Sequence, residues 1–132
     1  MTPPENAADG LGIEPGMTVM ESGHDDDVDD GVRADVVARA GRGLVADDHE
    51  GRVDAVLMWW RCGDGDLAAE LEDLRGALAR DAVVWVLTAR ARHVGHVPPS
   101  EIADAARQAG LRPSPPVDTG AWLATGCRRT DA

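Results

Sequence analysis

Short apolar runs alternate with polar, glycine-rich breaks along the chain. Two runs, Val53–Trp60 (VDAVLMWW) and Ala82–Thr88 (AVVWVLT), are almost continuously apolar and are bounded by turn residues. Such runs fit strands covered on both faces of a sheet. Behind them, Leu67, Leu71, Leu74 and Leu78 recur at helical spacing after Asp66, which predicts a helix capped by that aspartate. Val32, Val36, Val37 and Ala40 predict another, from about Val32 to Ala40, capped by Asp29 or Asp30 and closed at Gly41-Arg42-Gly43. A third is expected over Ile102–Ala109, with Ser100 as cap and Gly110 as stop. Shorter strands are expected at Met17–Glu21, after the Pro15-Gly16 turn, and at Leu44–Ala46. Two more are expected, one within Leu111–Gly120 and one at Ala121–Arg129. Residues 1–11 lack periodicity and read as a flexible tail, leaving 12–132 as one domain. This order predicts an α/β fold: a minimal Rossmann-like three-layer sandwich, with a mainly parallel sheet of five or six strands and about three helices.

Composition narrows the partners. The net charge is -11, from 24 acidic against 13 basic residues, and every basic residue is arginine. An acidic surface repels nucleic-acid phosphates and anionic membranes, so neither is an expected partner. No apolar run approaches the ~20 residues of a membrane span, and the opening residues lack the pattern of a signal peptide. The expected location is cytoplasmic. Cys62 and Cys127 stand far apart without metal-ligand spacing; a lone disulfide is one reading, and two buried thiols are the expected one. No G-x-S-x-G elbow is present, which removes support for nucleophilic hydrolysis.

In open α/β sheets, ligands gather at the carboxyl ends of parallel strands. The loops expected there are Ser22–Asp30, Asp47–Gly51, Arg61–Asp66 and Arg90–Pro99. The first is ESGHDDDVDDG. Counted from Asp25 as a calcium loop, it has Asp30 where glycine is needed and Val36 where glutamate is needed, so that motif fails. A looser divalent-cation site on Asp25 and Asp27, joined by Asp47 or Asp48, is one reading. Acids capping the following helix are the plainer one. NAD and ATP are disfavoured: Gly23 stands alone where G-x-G-x-x-G is needed, and Asp25–Asp27 would face the pyrophosphate.

The same loop is similar to the first loop of class I methyltransferases. Glu21-Ser22-Gly23 follows their acid-x-Gly pattern, and Asp47 or Asp48 stands where an acid would bind the ribose of S-adenosylmethionine. VDAVLMWW resembles their fourth strand; VVWVLTA with IADAARQAGL resembles their fifth strand and next helix. One strand–helix unit is missing between Asp48 and Val53. The resemblance implies Glu21, Gly23, Asp47 and Asp48 as cofactor-binding candidates. His24 and His96 are the acid/base candidates, and with His93 they offer a zinc set. The bland reading has His93 exposed and His96 bonded to a neighbouring loop. Arg61 with Asp64 and Asp66 reads as a local salt-bridged turn. Trp59 and Trp60 should face opposite sides of the sheet. Trp85 reads as core, and the tryptophan pair and Trp122 as candidates for an interface.

Three segments, GIEPGMTVMESG, DAVLMWWRCGDGDL and VWVLT followed by GHVPPSEIADAARQAGL, resemble the actinobacterial domain of unknown function 3052 family, from Leu11 to about Trp122. The family commonly carries tryptophan where this chain has His24. The resemblance implies a small cytoplasmic protein with a Rossmann-like fold and assigns no reaction. The expected function is a non-catalytic ligand-sensing or protein-interaction module, working with a protein partner or as a homo-oligomer. The alternative is a small metabolite-transforming enzyme using His24 and His96 or a degenerate S-adenosylmethionine site, with Asp25, Asp27 and Asp64 orienting the substrate or holding a cation.

Overall fold

A computed structural model describes residues 10–46 and 48–129. In chain order the elements are β1 Val19–Ser22, α1 Asp30–Ala40, β2 Val53–Trp59, α2 Leu67–Arg75, β3 Leu78–Ala89, α3 Pro99–Gln108, β4 Leu111–Pro113, β5 Val117–Asp118 and β6 Trp122–Arg129. The sheet runs β1-β2-β3-β6-β4, with β5 also on β6.

The sheet is mixed, not mainly parallel as the alternation of elements predicts. β1, β2 and β3 are mutually parallel, but β6 runs antiparallel to β3, β4 and β5. The reason lies in connection length. A parallel pair needs a crossover of a dozen or more residues, and only three residues separate β5 from β6. β4 and β5 pair with successive parts of one β6 edge, interrupted by Ser114-Pro115-Pro116, because proline cannot donate to a ladder. The strand expected at Leu44–Ala46 shrinks to a single parallel bridge between Val45 and Met20.

Both helix caps expected from aspartate are present: Asp29 accepts from Gly31 N and Val32 N, and Asp66 accepts from Ala69 N. Ser100 is not a cap. α3 begins at Pro99, whose missing N–H and preset φ suit a first helical position. Leu78, expected as the last apolar residue of a helix, lies in β3 opposite Val53, past the break at Gly76.

The helices occupy opposite faces. Val32, Val36 and Ala40 of α1 pack with Leu57, Trp59 and Leu87 in one core. On the other face, Leu71 of α2 and Ile102 of α3 pack with Met58, Trp60 and Val86. Trp59 and Trp60 therefore do point to opposite sides. Most of the tail expected at 1–11 lies outside the described residues, but Leu11 is buried and its carbonyl accepts from the Trp85 indole N–H at 2.9 Å. Among the described residues, no helix is long and apolar enough to cross a membrane.

Chain order reverses at β1. After α1 the chain returns to its outer side at Val45, then crosses to form β2 on its inner side. Such a switch point leaves a crevice at the strand carboxyl ends.

Candidate functional site

Two arginines organise that crevice. Glu21, at the end of β1, is one-tenth exposed and accepts from Arg33 through both carboxylate oxygens, at 2.6 and 3.0 Å. Its Oε2 also accepts the Trp59 indole N–H at 2.9 Å. Arg33 comes from the first turns of α1, three residues after Asp30, which it also contacts. The hydrogen bond to Glu21 is the main reason the Arg33 guanidinium titrates above its ordinary range, with burial opposing it. Glu21 is thus anchored, accepting three hydrogen bonds.

The second arginine, Arg61, follows β2 and reaches back across the acidic loop. Its Nε and Nη2 donate to the two oxygens of Asp27, at 2.9 and 2.5 Å. Nη1 donates to the Gly23 carbonyl at 2.8 Å and to the Trp59 carbonyl at 3.3 Å. The guanidinium lies 5.7 Å from the centre of the Trp122 ring, which meets Trp59 edge-on. The Arg61 hydrogen bond is the main reason the Asp27 carboxyl titrates below its ordinary range. The expected local turn is only part of this: Asp64 accepts from the Arg61 backbone at 3.0 Å and sits 3.7 Å from its side chain.

Gly23 makes the close approach possible. Its φ is +76°, and a Cβ there would stand 2.3 Å from the Trp59 carbonyl oxygen. The glycine of the acid-x-Gly pattern serves contact between β1 and β2.

Beside this clamp, a cleft of about 680 Å³ opens between β1, α1 and the Leu44–Ala46 segment. Ser22, His24, Asp30 and Arg33 supply its polar wall; Ala34, Val37, Leu44 and Val45 supply its apolar one. Of the acid/base candidates, only His24 lines it, exposed and without a hydrogen-bond partner among the described residues. His96 sits elsewhere, its Nδ1 donating to the Ala89 carbonyl at 2.7 Å, which ties the Arg90–Pro99 loop to the end of β3; His93 is exposed.

The acids divide by task. Asp25 accepts from Asp26 N, and Asp27 faces Arg61. Asp48 is exposed in a turn, and Asp47 lies outside the described residues. Among the described residues, no three His, Cys, Asp or Glu side chains gather as metal ligands. Cys127 is buried, but Cys62 is exposed, correcting the expectation that both thiols are buried. All four tryptophans are buried within this chain.

Sequence reasoning missed Arg33 entirely and gave Arg61 the wrong principal partner. Neither pairing leaves a local signal: 12 residues separate Arg33 from Glu21, and 34 separate Arg61 from Asp27.

The chain belongs to the family described as protein of unknown function (DUF3052), whose model matches residues 8–130. It is 45% identical over 120 residues to uncharacterised proteins of Mycobacterium bovis and Mycobacterium tuberculosis, covering 91% of this chain and 76% of theirs. Among solved structures it is similar to the CcbJ methyltransferase from Streptomyces caelestis (TM-score 0.62, 12% identity, 94% of each chain). It is also similar to the O-methyltransferase NcsB1 from neocarzinostatin biosynthesis, solved with S-adenosylmethionine (TM-score 0.64, 15% identity, 86% of this chain and 49% of that one). A third is the mitomycin 7-O-methyltransferase MmcR (TM-score 0.59, 15% identity, 87% and 49%). The chain thus spans about half the length of two of these enzymes. At such identities the likeness shows a methyltransferase-like fold.

Proposed function

We propose that the protein is a non-catalytic small-molecule-binding module, which keeps the β1 cleft of a methyltransferase-like fold without acid–base machinery. The observation that carries this reading is the state of Glu21. Its carboxylate, at the head of the cleft, is held through both oxygens by Arg33 and also by the Trp59 indole. His24 stands alone on the wall, with neither a nucleophile nor an orienting carboxylate bonded to it among the described residues.

The ligand class follows from the walls. Acids at the mouth disfavour phosphates, while an apolar flank of Ala34, Val37 and Leu44 suits a flat base or thioether. S-adenosylmethionine or its demethylated product fits both constraints, and NcsB1 is a neighbour solved with the former. Occupancy would be read by a protein partner or a second copy of the chain in the cytoplasm.

Calorimetric titration with S-adenosylmethionine and its demethylated product tests the reading. Binding to the wild type is expected, with binding lost in Ala34→Trp, which fills the cleft from an exposed position. At 100-fold excess over Kd, occupancy should add about 2.7 kcal/mol to stability. No heat and no rise in melting temperature with either compound would count against it. Methyl transfer to an acceptor that depends on His24 would replace it with the enzymatic alternative.

A further inference from the structure

We propose that a cleft between α3 and the Ser114-Pro115-Pro116 break, on the face of the sheet opposite α1, binds a small monocarboxylate with an apolar body. The cleft measures about 370 Å³ and opens where the prolines interrupt pairing along the β6 edge. Thr125 of β6 lines it. Alternation along β6 sets where that side chain points. Ala124 packs in the core under α1, whereas Cys127 packs with Ile102 and Ala106 of α3. Thr125, two residues before Cys127, shares its face and points toward α3. It is only 2% exposed, and its hydroxyl has no hydrogen-bond partner among the described residues. No described side-chain N or O is both sealed from solvent and unbonded, so the trace of surface that Thr125 keeps includes this hydroxyl. On the α3 side, the surface Thr125 lines is the cleft, so a buried, unpaired hydroxyl faces it.

The rest of the lining suits an anion. The first turn of α3 enters it through Pro99 and Ser100. No side chain caps that turn, and neither the N–H nor the hydroxyl of Ser100 has a partner among the described residues. The positive end of a helix favours negative charge beside it. Arg107, two turns on, also lines the cleft; its ion pair with Asp104 at 3.2 Å uses Nη1 and leaves other guanidinium donors. No described carboxylate lines the cleft, in a chain with 24 acidic residues, whereas Glu21 and Asp30 line the β1 cleft. Ala103, Pro113, Pro115 and Pro116 make the remaining wall apolar, and the Ser114 hydroxyl is spent on the Gly126 carbonyl at 3.2 Å. Thr125, Ser100 and Arg107 thus offer donors to a carboxylate, and the prolines offer cover to its body. A cation would meet Arg107 and the helix end, and a purely apolar guest would leave the Thr125 hydroxyl unpaired.

This site is independent of the β1 cleft, because the two share no lining residue. The test uses the full chain, labelled with ¹⁵N, and follows the assigned backbone amides of Ser100, Ala103 and Thr125. The probe is phenylacetate. Saturable movement of these peaks is expected in the millimolar range proper to so small a fragment. Phenylacetamide, which lacks the charge, and acetate, which lacks the body, should each bind about tenfold more weakly. Thr125→Val keeps the shape of the side chain and removes the hydroxyl. It should weaken binding about fivefold, the net worth of one hydrogen bond, without lowering the melting temperature, since that hydroxyl has no partner to lose. Arg107→Gln should weaken binding about threefold, the size fitting an exposed charge. Ala34→Trp, which fills the β1 cleft, should bind the probe like the wild type. Stationary peaks, equal affinity for phenylacetamide or acetate, or unchanged affinity in Thr125→Val or Arg107→Gln would each overturn the proposal.

Discussion

Replacing Gly23 with alanine should damage the protein through its fold, before any ligand is considered. Two costs add. The residue sits at φ +76°, and forcing an L side chain into the left-handed region costs about 1 kcal/mol. The new Cβ would also stand 2.3 Å from the Trp59 carbonyl oxygen, so the loop and the end of β2 must separate. That oxygen and the Gly23 carbonyl are both held by Arg61 Nη1, so the shift also loosens the clamp on the acidic loop. Overpacking of this kind costs roughly 2 kcal/mol, for a total of about 3 kcal/mol. In a domain of this size each kcal/mol moves the melting temperature by roughly 3–4 °C, so a fall of about 10 °C is expected. Gly63→Ala is the internal control. Its φ is +94°, but nothing lies within 4 Å of the added Cβ. It should lose only the backbone term, about 1 kcal/mol or some 3–4 °C. Thermal melts of both variants by circular dichroism at pH 7 separate the terms. If the two melt within about 2 °C of each other, the close approach of Gly23 to β2 is not what that glycine is for.

Glu21→Ala strips partners from Arg33 and the Trp59 indole together, and should cost about 2 kcal/mol in chemical denaturation; wild-type stability would mean the network carries no weight. Arg61→Met keeps an apolar stem over Trp122 but releases Asp27 and Gly23, so amide exchange across residues 24–28 should accelerate about tenfold while β3 amides do not change. Asp27 bears on pH: its depressed folded-state titration contributes stability that is complete above the ordinary carboxylate range and is lost as pH falls through the lower folded value. Because the side chain is 54% exposed, screening holds that contribution below about 1 kcal/mol, and Asp27→Asn should remove it from the stability profile below about pH 4. An identical acid decline in both proteins would contradict the assignment. Burial pushes the Cys127 thiol up to about 12, whereas Cys62 is exposed, so iodoacetamide at pH 8 should add one adduct to the native protein and two after unfolding.

Much of the scaffold was legible in advance, and the reasons are local. Continuous apolar runs marked β2 and β3, because a strand covered on both faces cannot alternate. Asp29 and Asp66 announced their helices because a short carboxylate bonds the free N–H groups of a first turn wherever that turn lies. Ser100 misled for a related reason: a good capping side chain stood beside Pro99, whose ring starts a helix without one. In the β1 cleft, the sequence pointed to Glu21, Gly23 and His24, which do lie together, and to His96, which lies elsewhere.

The sequence by itself determined roughly where the two central strands and the three helices lie, that the chain is strongly acidic, and that the loop after β1 is rich in aspartate. Those properties follow from neighbours along the chain and from summed charge. Only the tertiary structure decided what the acidic loop is for. Its glycine is pressed against the end of β2, its first acid is taken by Arg33, and Asp27 is taken by Arg61. An ion pair forms where two side chains meet in space, and parallel strands bring together residues separated by a whole crossover. No spacing rule along the chain encodes that meeting.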